Sequence, residues 1–353
     1  MGLDNIDSQY KMENLPVKII GSHGSPYSMK MLAVLRYKRI TFQWILRGSK
    51  EDDNPDVPVN LIPIIIFPGK DGSYSEATID SSPLIRTLDN MYPSRRVTPA
   101  DPVLDLIDTL IEDFGDEWVT KMMFHYRWTY EEDIEKAGTI LPLWGRLAIS
   151  QDDHNFMKKM ISERQISRLA IVGSNEVTGE VIENSYLETL KVIESIISKQ
   201  DFIMGQRPGS SDFGLFGQLS QLVLFDPTSS EVAMKTSPRT SAWCYDMQEL
   251  SGINVVEENW ISYEGINQTL GPLLDLVGKY YVPFLRANAK ALERDEDTVK
   301  CVIDGKEWVQ SSFSYQGKCY RHILEKYFSL DKNNREIVDK IISKTGCENL
   351  FED

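Results

Sequence analysis

A strand-to-helix junction near the start constrains this chain most. Val17-Lys-Ile-Ile20 is β-branched and reads as a strand, a glycine- and serine-rich loop follows, and Pro26 stands where a helix can begin. Proline suits a first helical turn because its φ is already fixed near the helical value and its missing N–H costs nothing there. From Tyr27 to Tyr37 the pattern is helical. Ser25 is thereby placed on the loop, at the positive end of a helix dipole, where a thiolate or other anion is stabilised. Ile40 to Leu46 alternates and reads as a second strand, which makes the opening a βαβ unit.

Glu51 to Pro58 is a charged, proline-broken loop. Leu61-Ile-Pro-Ile-Ile-Ile-Phe67 then reads as a short apolar strand with Pro63 near its start. Proline is normally excluded from a buried strand, and a cis bond before it at a functional turn is one way to accommodate it. Pro68 to Gly72 is a turn, and Ser73 to Thr78 is expected as the second arm of a hairpin. Asp80-Ser81-Ser82-Pro83 starts a helix to about Met91, with Asp or Ser as the cap. The order β-α-β followed by β-β-α predicts a thioredoxin-like domain.

From Asp101 the character changes to helices. Leu104 to Trp128, Thr139 to Leu147, Asp152 to Ile171, Ile182 to Lys199, Asp212 to Phe225 and Trp243 to Leu250 are the candidates. Beyond them, Ile266 to Leu292 reads as a long helix broken or kinked by Gly271-Pro272 and Pro283. Thr298–Ile303 and Glu307–Gln310 read as a hairpin around Asp304-Gly305. Gln316 to Phe328 and Asn333 to Ser343 are two more helices, with Gly346 expected as a C-cap. The expected divisions are therefore 16–97 (thioredoxin-like), 101–254 (all-α bundle) and 255–353 (a mixed α/β extension).

Composition excludes several function classes. The net charge of −15 opposes general nucleic-acid binding and binding to an anionic membrane surface. No apolar run is long enough to span a bilayer, and the N-terminus lacks a basic n-region followed by an apolar core, so no signal peptide is expected. The first 15 residues are polar and expected to be loose. Four widely spaced cysteines (Cys244, Cys301, Cys319, Cys347) form no metal-ligand spacing and suggest a reduced, cytoplasmic setting; no metal is expected.

Four segments in order resemble the cytosolic glutathione transferases. Ser25-Pro26-Tyr27-Ser28 is similar to the segment that opens the family's first helix. Ile62-Pro63-Ile64 is similar to its cis-proline before the third strand, and Asp80-Ser81 to the acidic-Ser pair that holds the γ-glutamyl end of glutathione. Arg207-Pro208-Gly209-Ser210-Ser211-Asp212 resembles the cap of its all-α domain, except that Gly209 falls where Ser or Thr is usual. Ser210 taking over the cap, or glycine serving at a small loss, are both open. The resemblance spans about residues 16 to 250; the material between about 129 and 180 and the C-terminal extension lie outside the usual pattern. It implies a serine-type, divergent, bacterial-like subfamily whose substrate does not follow.

The resemblance also implies roles. Ser25 would donate to the glutathione sulfur and, with the helix N-terminus, favour the thiolate over a thiol of ordinary pKa about 8.5. A plain N-cap needs the same position. Ser22, Ser28 and Tyr27 are neighbours able to substitute, and Tyr27 is taken as a glutathione contact. Ile62 would pair its backbone with the cysteinyl unit beside Pro63, and Asp80 and Ser81 would meet the γ-glutamyl group; an edge-strand proline and an ordinary helix cap are the alternatives. Gln43, Trp44, Arg47 and Lys50 are candidates near the glycyl carboxylate, and His23 is either a base or a solvated loop histidine. Trp118, Met122 and His125 share a helical face and are candidates for a second-substrate pocket, or plain core. Glutathione as co-substrate, an electrophilic small molecule and a homodimer follow as expectations. A binding or scaffold protein is the main alternative; a thiol-disulfide reductase would require a cysteine where Ser25 stands.

Overall fold

The computed structural model describes residues 15–53 and 55–352. The expected loose N-terminus falls, up to residue 14, outside the described residues. Strand β1 (Val17–Gly21) runs into helix α1 (Pro26–Tyr37) and strand β2 (Phe42–Leu46). Strands β3 (Ile64–Ile66) and β4 (Ala77–Thr78) and helix α2 (Ser81–Met91) follow. The sheet order is β2-β1-β3-β4, with β2 parallel to β1, and β3 antiparallel to both β1 and β4. This is the expected thioredoxin-like arrangement, although the second hairpin arm is shorter than its sequence suggests. The Ile62–Pro63 peptide bond is cis. Met31, Leu32, Val34 and Leu35 bury one side of α1 in the core, each worth about 1.5–3 kcal/mol of transfer free energy.

Helix α3 (Pro102–Phe114) continues without a break through a π turn, Gly115–Val119, into α4 (Thr120–Thr129). Then come α5 (Glu131–Gly145), α6 (Gln151–Ile166), α7 (Gly179–Ile197), α8 (Ser210–Leu222), α9 (Pro227–Thr236) and α10 (Pro238–Met247). Helix α5 begins earlier than its apolar pattern indicates, because Glu131, Glu132 and Asp133 suit a first turn by charge rather than by hydrophobicity. Helix α9 was not anticipated; only Ser229 and Ala233 are buried along it, too few for a periodic signal.

Of the two expected caps, Gly209 serves α8, and because it has no side chain the helix's first N–H groups are met from elsewhere. Asp108 of α3 accepts hydrogen bonds from the N–H groups of Ser210 (3.0 Å) and Ser211 (2.9 Å), and from the Ser210 hydroxyl (2.7 Å). Asp212 accepts from the Gly209 N–H at 2.9 Å. A Cβ at Gly209 would lie 2.4 Å from Asp108 Oδ1, so glycine makes room for a cap delivered from a neighbouring helix.

The C-terminal segment starts with α11 (Tyr263–Gly265), a π turn (Ile266–Leu270), α12 (Gly271–Leu276), a second π turn (Val277–Tyr281) and α13 (Val282–Glu293). Pro272 and Pro283 each sit in the first turn of the piece they open. Strands β5 (Thr298–Ile303) and β6 (Lys306–Ser311) form the expected hairpin, with Asp304 and Gly305 both at positive φ, as a tight two-residue turn requires. Helices α14 (Ser314–Ser329) and α15 (Lys332–Ile342) and a 3-10 turn (Cys347–Phe351) end the chain. Gly346 does not cap α15; Ser343 does, and Gly346 (φ +87) instead opens the final turn. One continuous hydrophobic cluster runs from the sheet through the bundle into this segment, joining Val17, Trp118 and Trp308. Among the described residues no helix is long and apolar enough to cross a membrane.

Candidate functional site

Ser25 is the N-cap of α1 in extended conformation, its Oγ accepting from the Ser28 N–H at 3.3 Å. Its own hydroxyl hydrogen has no described acceptor, so capping and donation to a ligand are compatible. The loop is held from the bundle side. Buried Arg127 pairs with Asp226 and donates to the Gly24 carbonyl at 2.9 Å, and Gln221 donates to the His23 carbonyl at 3.1 Å. His23 is not a solvated loop histidine: its ring lies 5.6 Å from that of Trp44 and 5.5 Å from that of Trp144, and burial lowers its pKa.

A cavity of about 610 Å³ opens between the thioredoxin-like part, α3–α4 and the C-terminal segment. Tyr27, Ile62, Pro63, Asp80 and Ser81 all line it, so five of the six residues singled out for glutathione converge on one space. Ser25 itself is not among the lining residues, although Tyr27, two positions on, is. The Tyr27 hydroxyl is already committed, donating to the Asp116 carbonyl at 2.8 Å, and Ser28 is fully buried with its Oγ accepting from Ser22. Ser25 and Ser22 are both part-exposed hydroxyls that accept from a backbone N–H and have no described acceptor for their own hydrogen. Gln43, Trp44, Arg47 and Lys50 do not line the cavity.

Asp80, the N-cap residue of α2, adopts φ +80 and ψ +105, an unusual backbone state for a residue with a side chain, and its carboxylate makes no cap hydrogen bond to the helix. Strain of this kind costs on the order of 1–3 kcal/mol and tends to persist where it positions something. Its carboxylate instead accepts a hydrogen bond from Tyr315 of α14 at 2.8 Å.

Trp118, Met122 and His125 do not face this cavity. Trp118 and Met122 are fully buried; Trp118 donates to Ser185 and packs on Trp308, whereas His125 contacts Ser174 and Glu183. Their apolar stripe is the core side of the helix. The side toward the cavity carries Asp116, Glu117, Thr120 and Lys121, which the apolar periodicity passed over. The available signal was a set of charged residues, Glu112, Asp113, Asp116, Glu117 and Lys121, inside an otherwise apolar stretch.

These charges sit in distinct settings. Lys30 of α1, fully buried, bridges Glu112 (2.7 Å) and Asp116 (2.5 Å), tying the sheet layer to the bundle. Burial works against Glu112 as an anion, but Lys30 outweighs it and holds the carboxyl well below the usual carboxylate range. Glu117 has no cation within ion-pair distance among the described residues: burial, reinforced by Asp113 and opposed by Gln316 and Lys121, pushes it up to about 8. Its Oε2 accepts from Gln316 Nε2 at 2.9 Å. Lys121 is brought down to about 7 by burial, opposed by Glu117; it donates to Gln310 Oε1 at 2.9 Å and lies 4.2 Å from the Phe284 ring centre. Phe313, Ser314, Tyr315, Gln316 and Lys318 bring the C-terminal segment into the wall. Phe313 is fixed there by Asn288, through reciprocal bonds of 2.8 and 3.0 Å with its backbone.

Fold and site together define a thioredoxin-like sheet docked on a helical bundle, with a cavity at the junction reached by two helix N-termini. Residues 19–96 match the family model described as glutathione S-transferase, N-terminal domain. Among solved structures the chain is similar to the Tau class glutathione S-transferase from mango, Mangifera indica (18% identity over 66% of this chain and 88% of that one, TM-score 0.38). It is also similar to the β-etherase LigF from Sphingobium sp. strain SYK-6 (17%, 66% and 95%, TM-score 0.46). A third is a glutathione S-transferase from Methylobacterium radiotolerans in complex with glutathione sulfonate (15%, 69% and 99%, TM-score 0.37). No curated protein matches the chain. Among the described residues no group of three or more His, Cys, Asp or Glu is arranged to hold a metal ion.

Proposed function

We propose that the protein is a glutathione-dependent transferase in which Ser25 stabilises the glutathione thiolate for attack on an electrophilic small molecule. The observation that carries this reading is the convergence of Tyr27, Ile62, Pro63, Asp80 and Ser81 on one cavity, beside a helix N-terminus capped by a serine with its hydrogen to give. In this reading Ile62 pairs with the cysteinyl unit, and Asp80 and Ser81 hold the γ-glutamyl end. The α1 dipole and the Ser25 hydroxyl both favour the anion over the thiol. The same reading takes residues 16–97 as the glutathione domain, 101–254 as the bundle and 255–353 as an extension that walls the cavity, and expects a cytoplasmic homodimer.

A second reading has support from one contact. Tyr315 already occupies an oxygen of Asp80, as it would in a binding or scaffold protein whose cleft has lost its chemistry. Retention on immobilised glutathione, followed by thiol conjugation with wild type and Ser25→Ala, separates the two. The transferase reading expects retention of both proteins and a strong fall in turnover for the variant. Retention without any wild-type turnover supports the scaffold, and equal turnover of both proteins refutes the role of Ser25.

A further inference from the structure

The wall of the cavity shared by the π turn and α14 carries acceptors that lack donors. Asp116 (5% exposed) and Gln316 (4% exposed) both line it. Asp116 Oδ2 takes Lys30 at 2.5 Å and Ser82 at 3.2 Å, whereas its Oδ1 is shut off from solvent and has no hydrogen-bond partner among the described residues. Gln316 donates its amide nitrogen to Glu117, and its Oε1 is likewise buried and unpartnered. Buried polar atoms nearly always find a partner, so two orphaned acceptors on one cavity wall point to a donor that a ligand brings.

The charge of the wall says which donor. Asp80, Asp116 and Glu117 line the cavity, with Glu112 and Asp113 beside them on α3. Lys30 is engaged by Glu112 and Asp116. Lys121 acts on Glu117 from one turn along the helix, but its amine donates to Gln310 Oε1 and the Val172 carbonyl and lies against the Phe284 ring. Lys318 is at the exposed rim. Carboxyls therefore outnumber the amines that meet them, and the rings of Tyr27, Phe313 and Tyr315 in the same wall also attract a cation. A neutral donor would satisfy the two oxygens and leave the excess negative charge; a protonated amine brings three N–H donors and the missing positive charge together. We propose that this wall binds the ammonium group of an amine-bearing ligand, with Asp116 Oδ1 and Gln316 Oε1 as its acceptors.

As a binding site this needs no chemistry; as the substrate class of the cavity it rests on the transferase reading, and the electrophile is then a cationic amine. Binding is linked to protons. Burial, with the neighbouring carboxyls, raises Asp113 to about 7 and Glu117 to about 8, and it raises Asp116 against the pull of Lys30. The groups that face these carboxyls are Glu112 and Lys121 on their own helix, Tyr27 and Lys30 on α1, Tyr281 before α13, and Tyr315 and Cys319 on α14. Asp80 of α2 acts through Tyr315, and Arg86 and His322 act on Glu112. A bound cation favours the ionised carboxyls, so binding releases protons and tightens as pH rises toward about 8.

The test is isothermal titration of the full chain with phenethylamine and with its neutral counterpart, phenethyl alcohol. Wild type is expected to bind the amine at least about 10-fold more tightly than the alcohol, with a preference that grows from about pH 6 to about pH 8. Asp116→Asn and Gln316→Leu should each weaken the amine about 10-fold and leave the alcohol unchanged. Equal binding of amine and alcohol, no binding of the amine, or variants that bind it as wild type does overturns the proposal. If Asp116→Asn does not fold, Gln316→Leu and the wild-type pH dependence decide, and an amine affinity that is flat with pH overturns it. Repeating the titration in saturating glutathione separates this site from the transferase reading. Amine binding that persists supports a site distinct from that of glutathione. One-for-one exclusion shows that these oxygens hold glutathione's own ammonium and overturns the proposal. Amine binding by a protein that does not bind glutathione overturns the transferase reading and leaves this site standing.

Discussion

The Tyr315 hydroxyl donates a 2.8 Å hydrogen bond to Asp80 Oδ1 across 235 positions of sequence. The contact joins the C-terminal segment to the residue that opens α2 in a strained backbone state (φ +80). It leaves the second carboxylate oxygen for a ligand and restricts where that oxygen points. A hydrogen bond to a charged group is worth about 1.5–3 kcal/mol. Tyr315→Phe is therefore expected to raise the KM for glutathione about 10-fold with little change in kcat. Steady-state kinetics over glutathione concentration checks this; an unchanged or lower KM would show that Tyr315 does not position Asp80.

Trp308 tests whether the C-terminal segment is integral to the fold. Its ring is fully buried 5.2 Å from that of Trp118, and its Nε1 donates to Gln310, which in turn accepts from Lys121. Trp308→Ala should cost about 3–5 kcal/mol in urea unfolding. A loss below about 1 kcal/mol would mean that the hairpin contributes little beyond covering the bundle.

The cap of α8 predicts a non-additive pair. Gly209→Ser installs the residue usual in the resembling family, yet its Cβ would lie 2.4 Å from Asp108 Oδ1. Alone it should destabilise by about 1–3 kcal/mol. Combined with Asp108→Ala it has room to serve as an ordinary cap, so the pair should lose less than the sum of the single changes, with a coupling on the order of 1 kcal/mol. Additive losses in a double-mutant cycle would contradict the cross-helix cap.

Glu117 also predicts a pH dependence of stability. Its folded pKa, about 8, is raised above the unfolded value, so the folded state holds a proton the unfolded chain gives up. The favourable contribution is complete below the unfolded pKa of about 4.3 and is lost as pH rises to about 8. Relative to wild type, Glu117→Gln should gain thermal stability progressively from pH 5 to about 8 and then level off. Differential scanning calorimetry across that range reads the gap directly; a constant gap would show that Glu117 is already ionised in the folded protein.

The thioredoxin-like part was legible because strong local signals agree there: β-branched strands, Pro26 at a helix start, and the Ile62-Pro63 and Asp80-Ser81 punctuation. The Asp304-Gly305 hairpin was legible for the same reason. The face of α3–α4 was not. Apolar periodicity reports which side of a helix meets the core, and it correctly groups Trp118, Met122 and His125. It carries no information about a cavity lined by carboxyls and an amine on another side of the same helix. The Tyr315–Asp80 and Gln316–Glu117 contacts join positions about 200 or more apart and have no local signature.

The most direct test of the account is the pH titration of glutathione bound to wild type and to Ser25→Ala, followed by the ultraviolet absorbance of the thiolate. The account predicts a bound thiol titrating about 1–2 units below the free value of about 8.5 in wild type, and moving back toward that value in the variant. Identical titrations in the two proteins, or a bound thiol no more acidic than free glutathione, would contradict it.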